Sequence, residues 1–158
     1  MLNLPVDTVL PLQAPFSANR AFAAVFLSWF LAQLCKVIRG MIQTRRFSFR
    51  WLFDTGGMPS SHSATVASLA TVTGLYFGFH SIMFLIVLIF TFITMFDAAG
   101  VRRSVGRQAV ILNKMLDDLY EKGGVQEKRL KELLGHTPVE VFAGAFLGVI
   151  MALFFCRL

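Results

Sequence analysis

The chain has 158 residues and is strongly apolar, with 56% hydrophobic residues, 15% charged residues and a mean hydropathy of +0.65. This composition argues against a soluble domain, in which charged residues make up about a quarter of the chain. The net charge is +6, but no nucleic-acid-binding motif accompanies the basic residues, so no nucleic-acid partner is expected. The two cysteines form neither a disulfide framework nor a zinc-ligand pattern.

The N-terminal segment 1–18 contains three prolines and Asp7 and has no basic start before an apolar run, so it does not resemble a secretory signal. After it, three long runs lack Lys, Arg, Asp and Glu altogether. These runs are 21–34, 63–96 and 141–155. Apolar runs of this kind predict membrane-spanning helices, because a soluble helix of this length needs a polar face.

The run 63–96 is long enough for two spans, and Gly78 lies where the chain has to turn between them. Four spans are therefore predicted. They cover 19–38, 62–79, 81–99 and 138–156. The second is rich in Ser, Thr, Gly and Ala, which favours an interior helix that its neighbours approach closely. The third consists of bulky apolar residues and is expected to face lipid.

Alternating passage through the bilayer places the segment after the first span and the connection 100–137 on one side. Of the 15 Lys and Arg residues, 13 lie between Lys36 and Lys131, which predicts that this side is cytoplasmic. Attraction to anionic lipid headgroups accounts for most of these residues. The sequence thus predicts an all-α integral membrane helical bundle in the cell (inner) membrane. Its single domain covers 19–156, with 1–18 non-cytoplasmic.

The cytoplasmic connection is expected to be helical. Apolar residues at helical spacing predict one helix over 104–122, which Gly123 and Gly124 end, and a second short helix over 126–134. These helices are expected either to lie on the membrane surface or to cover a site there.

Three polar clusters lie at the cytoplasmic ends of the predicted spans. The first, just before the second span, contains Gly57, Ser60, Ser61 and His62. Glycine lets the backbone approach a ligand closely, and hydroxyls together with the free N–H groups of a starting helix suit a phosphate. An ordinary loop with a serine cap explains the same residues equally well.

The second cluster follows the third span and contains Asp97, Arg102 and Arg103. A carboxylate at membrane depth is costly, so Asp97 is expected to pair with an arginine or a histidine. The two arginines offer permanently charged, planar donors for phosphoryl oxygens. Anchoring at the cytoplasmic face is the simpler explanation for at least one of them.

The third cluster opens the fourth span. Thr137, Pro138 and Glu140 have the spacing of a capping box with proline in the first turn, which by itself explains Glu140. Capping does not explain His136. Imidazole suits nucleophilic or acid–base chemistry near neutral pH, and two histidines beside helix starts on one face favour a reactive site.

These clusters resemble the divergent branch of the type 2 phosphatidic acid phosphatase superfamily, which is related to acid phosphatases and vanadium haloperoxidases. The resemblance covers roughly residues 19–155 and rests on three ordered motifs. They read Gly-Met-Pro-Ser-Ser-His-Ser-Ala at 57–64, Asp-Ala-Ala-Gly-Val-Arg-Arg at 97–103 and Gly-His-Thr-Pro-Val-Glu-Val at 135–141.

The resemblance implies metal-free phosphoryl transfer without a cofactor. His136 would be the nucleophile that forms a phosphohistidine, Glu140 would orient it, and His62 would protonate the leaving alcohol. The groups that would hold the phosphoryl oxygens are Ser60, the amide of Ser61, Arg102 or Arg103, and Lys36. Fixed cations and amides stabilise the charge on those oxygens.

Several positions differ from the superfamily pattern. Ser61 stands in place of a glycine, Gln43 in place of the arginine seven residues after Lys36, and Leu130 in place of the arginine six residues before the nucleophilic histidine, with Arg129 one step away. Four predicted spans are also fewer than the usual six.

The leading hypothesis from the sequence is a membrane phosphatase that hydrolyses a phosphate monoester or pyrophosphate of a lipid. The alternative is a non-catalytic membrane protein that binds an anionic lipid or a partner through the same basic pocket. The sequence selects neither the lipid nor the oligomeric state, and a homo-oligomer is compatible with it.

Overall fold

The computed structural model describes residues 17–45, 57–120 and 136–157, without the side chains of 101–103, 117–120 and 157. In these residues the chain forms α-helices and no β-strand. The helices are α1 (Ala18–Thr44), α2 (Ser61–Phe77), α3 (Ile82–Ala99), α4 (Val101–Tyr120) and α5 (Pro138–Arg157). The predicted all-α class is confirmed.

The helix starts follow from local sequence chemistry. Ser17, Ser60 and Ser81 precede α1, α2 and α3, and each side-chain oxygen accepts the backbone N–H of the residue three positions later. Such caps satisfy an N–H group that has no partner within the helix. The predicted turn lies at Gly78, which has φ +86° directly after α2, a backbone angle that glycine adopts without strain.

Within the described residues, three helical stretches are long and apolar enough to cross a membrane. They are Ala18–Thr44, Ile82–Leu116 and Pro138–Cys156. Helix α2 is shorter, with 17 residues, which is about 26 Å at 1.5 Å per residue. It packs against α1, α3 and α5, and its role as the second of the four predicted spans stays a prediction.

The contacts between helices determine which ends lie together. At one end, Ala24 of α1, Val72 of α2 and Ala152 of α5 belong to one buried cluster. At the other end, Lys36 near the end of α1 bonds to Ser61 at the start of α2. Helix α1 is therefore antiparallel to α2, whereas α2 and α5 are parallel and begin at the same end of the bundle.

Helix α4 forms the described part of the connection after the third span, and it begins at Val101 and ends at Tyr120 rather than covering the predicted 104–122. Among the described helices it contacts only α3, and Val105, Leu112 and Met115 are exposed. The predicted helix over 126–134 lies outside the described residues. Whether α4 lies on the membrane surface or covers the site stays a prediction.

Candidate functional site

The structure brings together two histidines that are 74 positions apart in the sequence. His62 lies in the first turn of α2 and His136 lies two residues before α5. Because these helices are parallel and begin at the same end, the ring centroids are 6.3 Å apart, with an angle of 59° between the ring planes. His136 is 1% exposed and His62 is half-buried.

Glu140 contacts His136 and the backbone at the same time. Its Oε2 lies 3.3 Å from Nδ1 of His136 and accepts the backbone N–H of Thr137 at 2.9 Å. In return, Oγ1 of Thr137 accepts the backbone N–H of Glu140 at 3.4 Å. These reciprocal bonds are the predicted capping box. One carboxylate therefore both caps α5 and orients the imidazole.

Lys36 extends from α1 into the same end of the bundle. Its Nζ donates to Oγ of Ser61 at 3.3 Å, and both residues are buried. Gly57 lies beside the lysine stem, since a Cβ at this position would be 4.0 Å from Cγ of Lys36. The φ of Gly57 is +90°, which a residue with a side chain rarely adopts. The ammonium group thus lies next to the residue that precedes His62.

Ser60 is fully buried and its polar groups have partners within the protein. Its side chain caps α2 by accepting the backbone N–H of Ser63 at 3.4 Å, and it also accepts the Ser63 hydroxyl at 3.1 Å. Its own N–H donates to the carbonyl of Glu140 at 2.9 Å. Ser60 thereby connects the starts of α2 and α5. Its role as a phosphate ligand stays a prediction.

The second predicted cluster is only partly described. Thr91 of α3 donates to the carbonyl of Val66 in α2 at 3.1 Å. Asp97 is six residues further along α3, or about 9 Å, toward the end that adjoins the start of α2. It is half-buried. The side chains of Arg102 and Arg103 lie outside the described residues, so their role as phosphate ligands also stays a prediction.

Two further buried residues lie outside the three motifs. Gly144 of α5 packs directly on the backbone of Ser60, where a Cβ would collide with the carbonyl oxygen. Gln33, one turn before Lys36 on α1, is a buried polar side chain. The Gly-x-x-x-Gly spacing of Gly144 and Gly148 is the signal that predicts close helix approach. Gln33 has no comparable sequence signal.

The described residues contain no group of three or more His, Cys, Asp or Glu side chains that could hold a metal ion. What they do contain is an imidazole pair, a carboxylate on one ring, a buried ammonium group and the first-turn amides of α2. Helix N-termini attract anions through their free N–H groups and the helix dipole. This combination can bind an anion and supply both a nucleophile and a proton donor.

The family model described as the divergent PAP2 family matches residues 17–151. The chain belongs to this family. A similar protein is "Uncharacterized membrane protein YuiD" of Bacillus subtilis (strain 168), which is 44% identical over an alignment that covers 77% of this chain and 84% of the relative. No solved structure matches the chain significantly. Membership in the divergent PAP2 family confirms the resemblance of the three motifs.

Proposed function

We propose that this divergent PAP2 protein is a membrane phosphatase that hydrolyses a phosphate monoester or pyrophosphate of a lipid through a phosphohistidine. The observation that supports it most strongly is the meeting of His62 and His136, with Glu140 on Nδ1 of the second ring. A purely structural histidine needs neither a second imidazole beside it nor a carboxylate that sets its tautomer.

In the first step, Nε2 of His136 attacks the phosphorus atom and the bond from phosphorus to the leaving oxygen breaks. Glu140 accepts the hydrogen bond from Nδ1–H, which leaves the lone pair on Nε2 for the attack and stabilises the charged ring that forms. His62 gives its proton to the leaving alcohol or phosphate. In the second step, His62 takes a proton from water as the water oxygen attacks the phosphorus atom. The bond from phosphorus to Nε2 of His136 then breaks, which releases phosphate and restores the imidazole.

The negative charge on the phosphoryl oxygens needs fixed positive groups in its neighbourhood. Lys36 and the first-turn amides of Ser61 and His62 supply them, and Arg102 and Arg103 are proposed to contribute two guanidinium groups. Since the site lies at one end of a membrane bundle, the substrate phosphate is proposed to lie at the headgroup level. From the charge distribution, this level is that of the cytoplasmic leaflet.

The first test is phosphate release from a panel of lipid phosphates and lipid pyrophosphates by purified protein in detergent. We expect His136→Ala to lower kcat roughly a thousand-fold or more and His62→Ala to lower it about a hundred-fold or more. His80→Ala is the matched control, because His80 is exposed in the turn at the opposite end of α2. Wild-type protein without activity on the whole panel would contradict the proposal.

A second test separates the two roles of Glu140. Glutamine at this position keeps the capping box but removes the negative charge beside the His136 ring. We therefore expect Glu140→Gln to fold like the wild type and to lose kcat by about ten-fold or more. Unchanged kcat would assign Glu140 to capping alone.

Non-catalytic binding of an anionic lipid is the second candidate function. The burial of His136 at 1% exposure favours it, because a nucleophile has to reach the phosphorus atom. This function predicts lipid binding that survives His136→Ala and weakens in Arg102→Ala and Arg103→Ala. Detection of acid-labile phosphate on His136 after rapid quenching with substrate would exclude it.

A further inference from the structure

Lys36 and Ser61 form a buried polar contact between α1 and α2. Lys36 is 6% exposed and Ser61 is 3% exposed, and the ammonium nitrogen donates to the hydroxyl oxygen at 3.3 Å. An ammonium group inside a membrane bundle carries a large desolvation cost, and such residues in spanning helices are generally functional. We therefore expect the contact between Lys36 and Ser61 to have a functional role in addition to packing.

The contact lies at the proposed phosphoryl site. Ser61 is the first residue of α2 and directly precedes His62, whose ring is 6.3 Å from that of His136. Gly57, with its positive φ, lies beside the lysine stem. The Lys36 ammonium is thus held next to the N-terminus of α2, where the helix dipole already favours an anion.

Hydroxyl chemistry gives Ser61 two roles at once. A lysine side chain is a point charge on a flexible four-carbon stem, so its position depends on a fixed acceptor. A serine hydroxyl has two lone pairs and one hydrogen. It can accept a hydrogen bond from Nζ and still donate its own hydrogen to a further acceptor.

From this geometry we infer that the Ser61 hydroxyl is a positioning residue that holds the Lys36 ammonium at the phosphoryl site and donates its own hydrogen to a phosphoryl oxygen. This inference rests on the proposed phosphatase function and extends it to a residue pair that joins α1 to α2. The pair recognises a tetrahedral oxyanion, and no covalent step is assigned to it.

The experiment compares Ser61→Ala, Lys36→Met and the double variant with the wild type. The readouts are KM for the best lipid phosphate and the inhibition constant of orthovanadate, a tetrahedral phosphate analogue. Since a hydrogen bond to a charged group is lost, we expect both constants to rise roughly ten-fold or more in Ser61→Ala. The double variant is expected to be less impaired than the product of the two single effects, because the part of the Ser61 effect that runs through Lys36 is already lost in Lys36→Met.

Two further variants distinguish the loss of the Ser61 hydroxyl contact from a general effect on helix packing. Ser61→Thr retains a hydroxyl and is expected to restore affinity for orthovanadate. Thr71→Val is the matched control, since its hydroxyl bonds only within α2, to the carbonyl of Ala67 at 2.8 Å, and both constants should stay unchanged. A Ser61→Ala variant with lower thermal stability but wild-type KM and inhibition constant would overturn the inference. Additive effects of Ser61→Ala and Lys36→Met would overturn it as well.

Thermal stabilisation by orthovanadate provides a readout that does not require turnover. One outcome separates the two proposals: the wild type releases no phosphate but is stabilised by orthovanadate, and Ser61→Ala and Lys36→Met lose this stabilisation. This result would contradict the phosphatase function and support oxyanion binding by Lys36 and Ser61. If orthovanadate stabilises neither the wild type nor any variant and no phosphate is released, both the phosphatase function and oxyanion binding by Lys36 and Ser61 are contradicted.

Discussion

Helices α2 and α3 are consecutive and nearly equal in length, with 17 and 18 residues, yet they have opposite surroundings. Ten residues of α2 are buried, and most of them are Ser, Thr, Ala or Gly. In α3 only Thr91 and Ala98 are buried. The bulky side chains of α3, such as Ile86 and Phe96, are exposed instead.

This difference shows how a membrane bundle distributes its residues. Lipid tails are as apolar as leucine, so burying a bulky apolar side chain between helices gives little advantage over leaving it in lipid. Small residues are different because they let backbones approach, and hydroxyls bond to backbone carbonyls. The interior is therefore built from small and hydroxyl residues. The same property brings the starts of α2 and α5, and with them the two histidines, close together.

The largest expected effect comes from filling the contact between α2 and α5. A Cβ on Gly148 would collide with the backbone of Ala64 and Ser68, so Gly148→Leu has to push the helices apart. We expect a loss of about 3 kcal/mol or more in the free energy of unfolding, measured by denaturation in detergent. Val149→Leu, a larger side chain on the exposed side of the same helix, is the control and should be nearly neutral.

A smaller substitution nearer the site should damage function together with stability. Gly144→Ala places a methyl group against the Ser60 carbonyl, and we expect it to cost about 1–3 kcal/mol. Because Ser60 precedes the turn that carries His62, the distance between the two imidazoles should change. A variant that unfolds like the wild type and releases phosphate at the wild-type rate would contradict the close packing.

The hydroxyl between α2 and α3 is expected to contribute less. Thr91 donates to the carbonyl of Val66 across the helices and to Val87 within its own helix. Thr91→Val keeps the shape and removes both bonds. Hydrogen bonds between membrane helices average about 0.6 kcal/mol, so we expect a loss of that order. A loss of several kcal/mol would show that α3 depends on this bond far more than its exposed surface suggests.

The smallest effect is expected on the exposed side of α3. Ile86 is 57% exposed, and lipid replaces its neighbours after truncation. Ile86→Ala should therefore change the free energy of unfolding by less than about 0.5 kcal/mol. A large destabilisation would mean that a partner, such as a second copy of the chain, covers this side.

Much of the fold could be predicted from the sequence because the relevant interactions are local. Charge-free runs predict the membrane-spanning helices, and Gly78 predicts the turn after α2. The spacing of Thr137 and Glu140 predicts the capping box that the structure contains. The helix after the third span was also predictable from its apolar spacing. Its start at Val101 was not, because the helix resumes directly after Gly100.

The sequence by itself determined that the chain is an all-α membrane bundle and which residue types accompany the ends of its helices, since both depend on hydropathy and local hydrogen bonding. Only the tertiary structure decided that His62 lies beside His136, that Lys36 bonds to Ser61, and that Ser60 is bonded to α5 rather than left open. These contacts join residues 25 to 80 positions apart. They depend on which helices pack against each other and in what register, which no local pattern encodes.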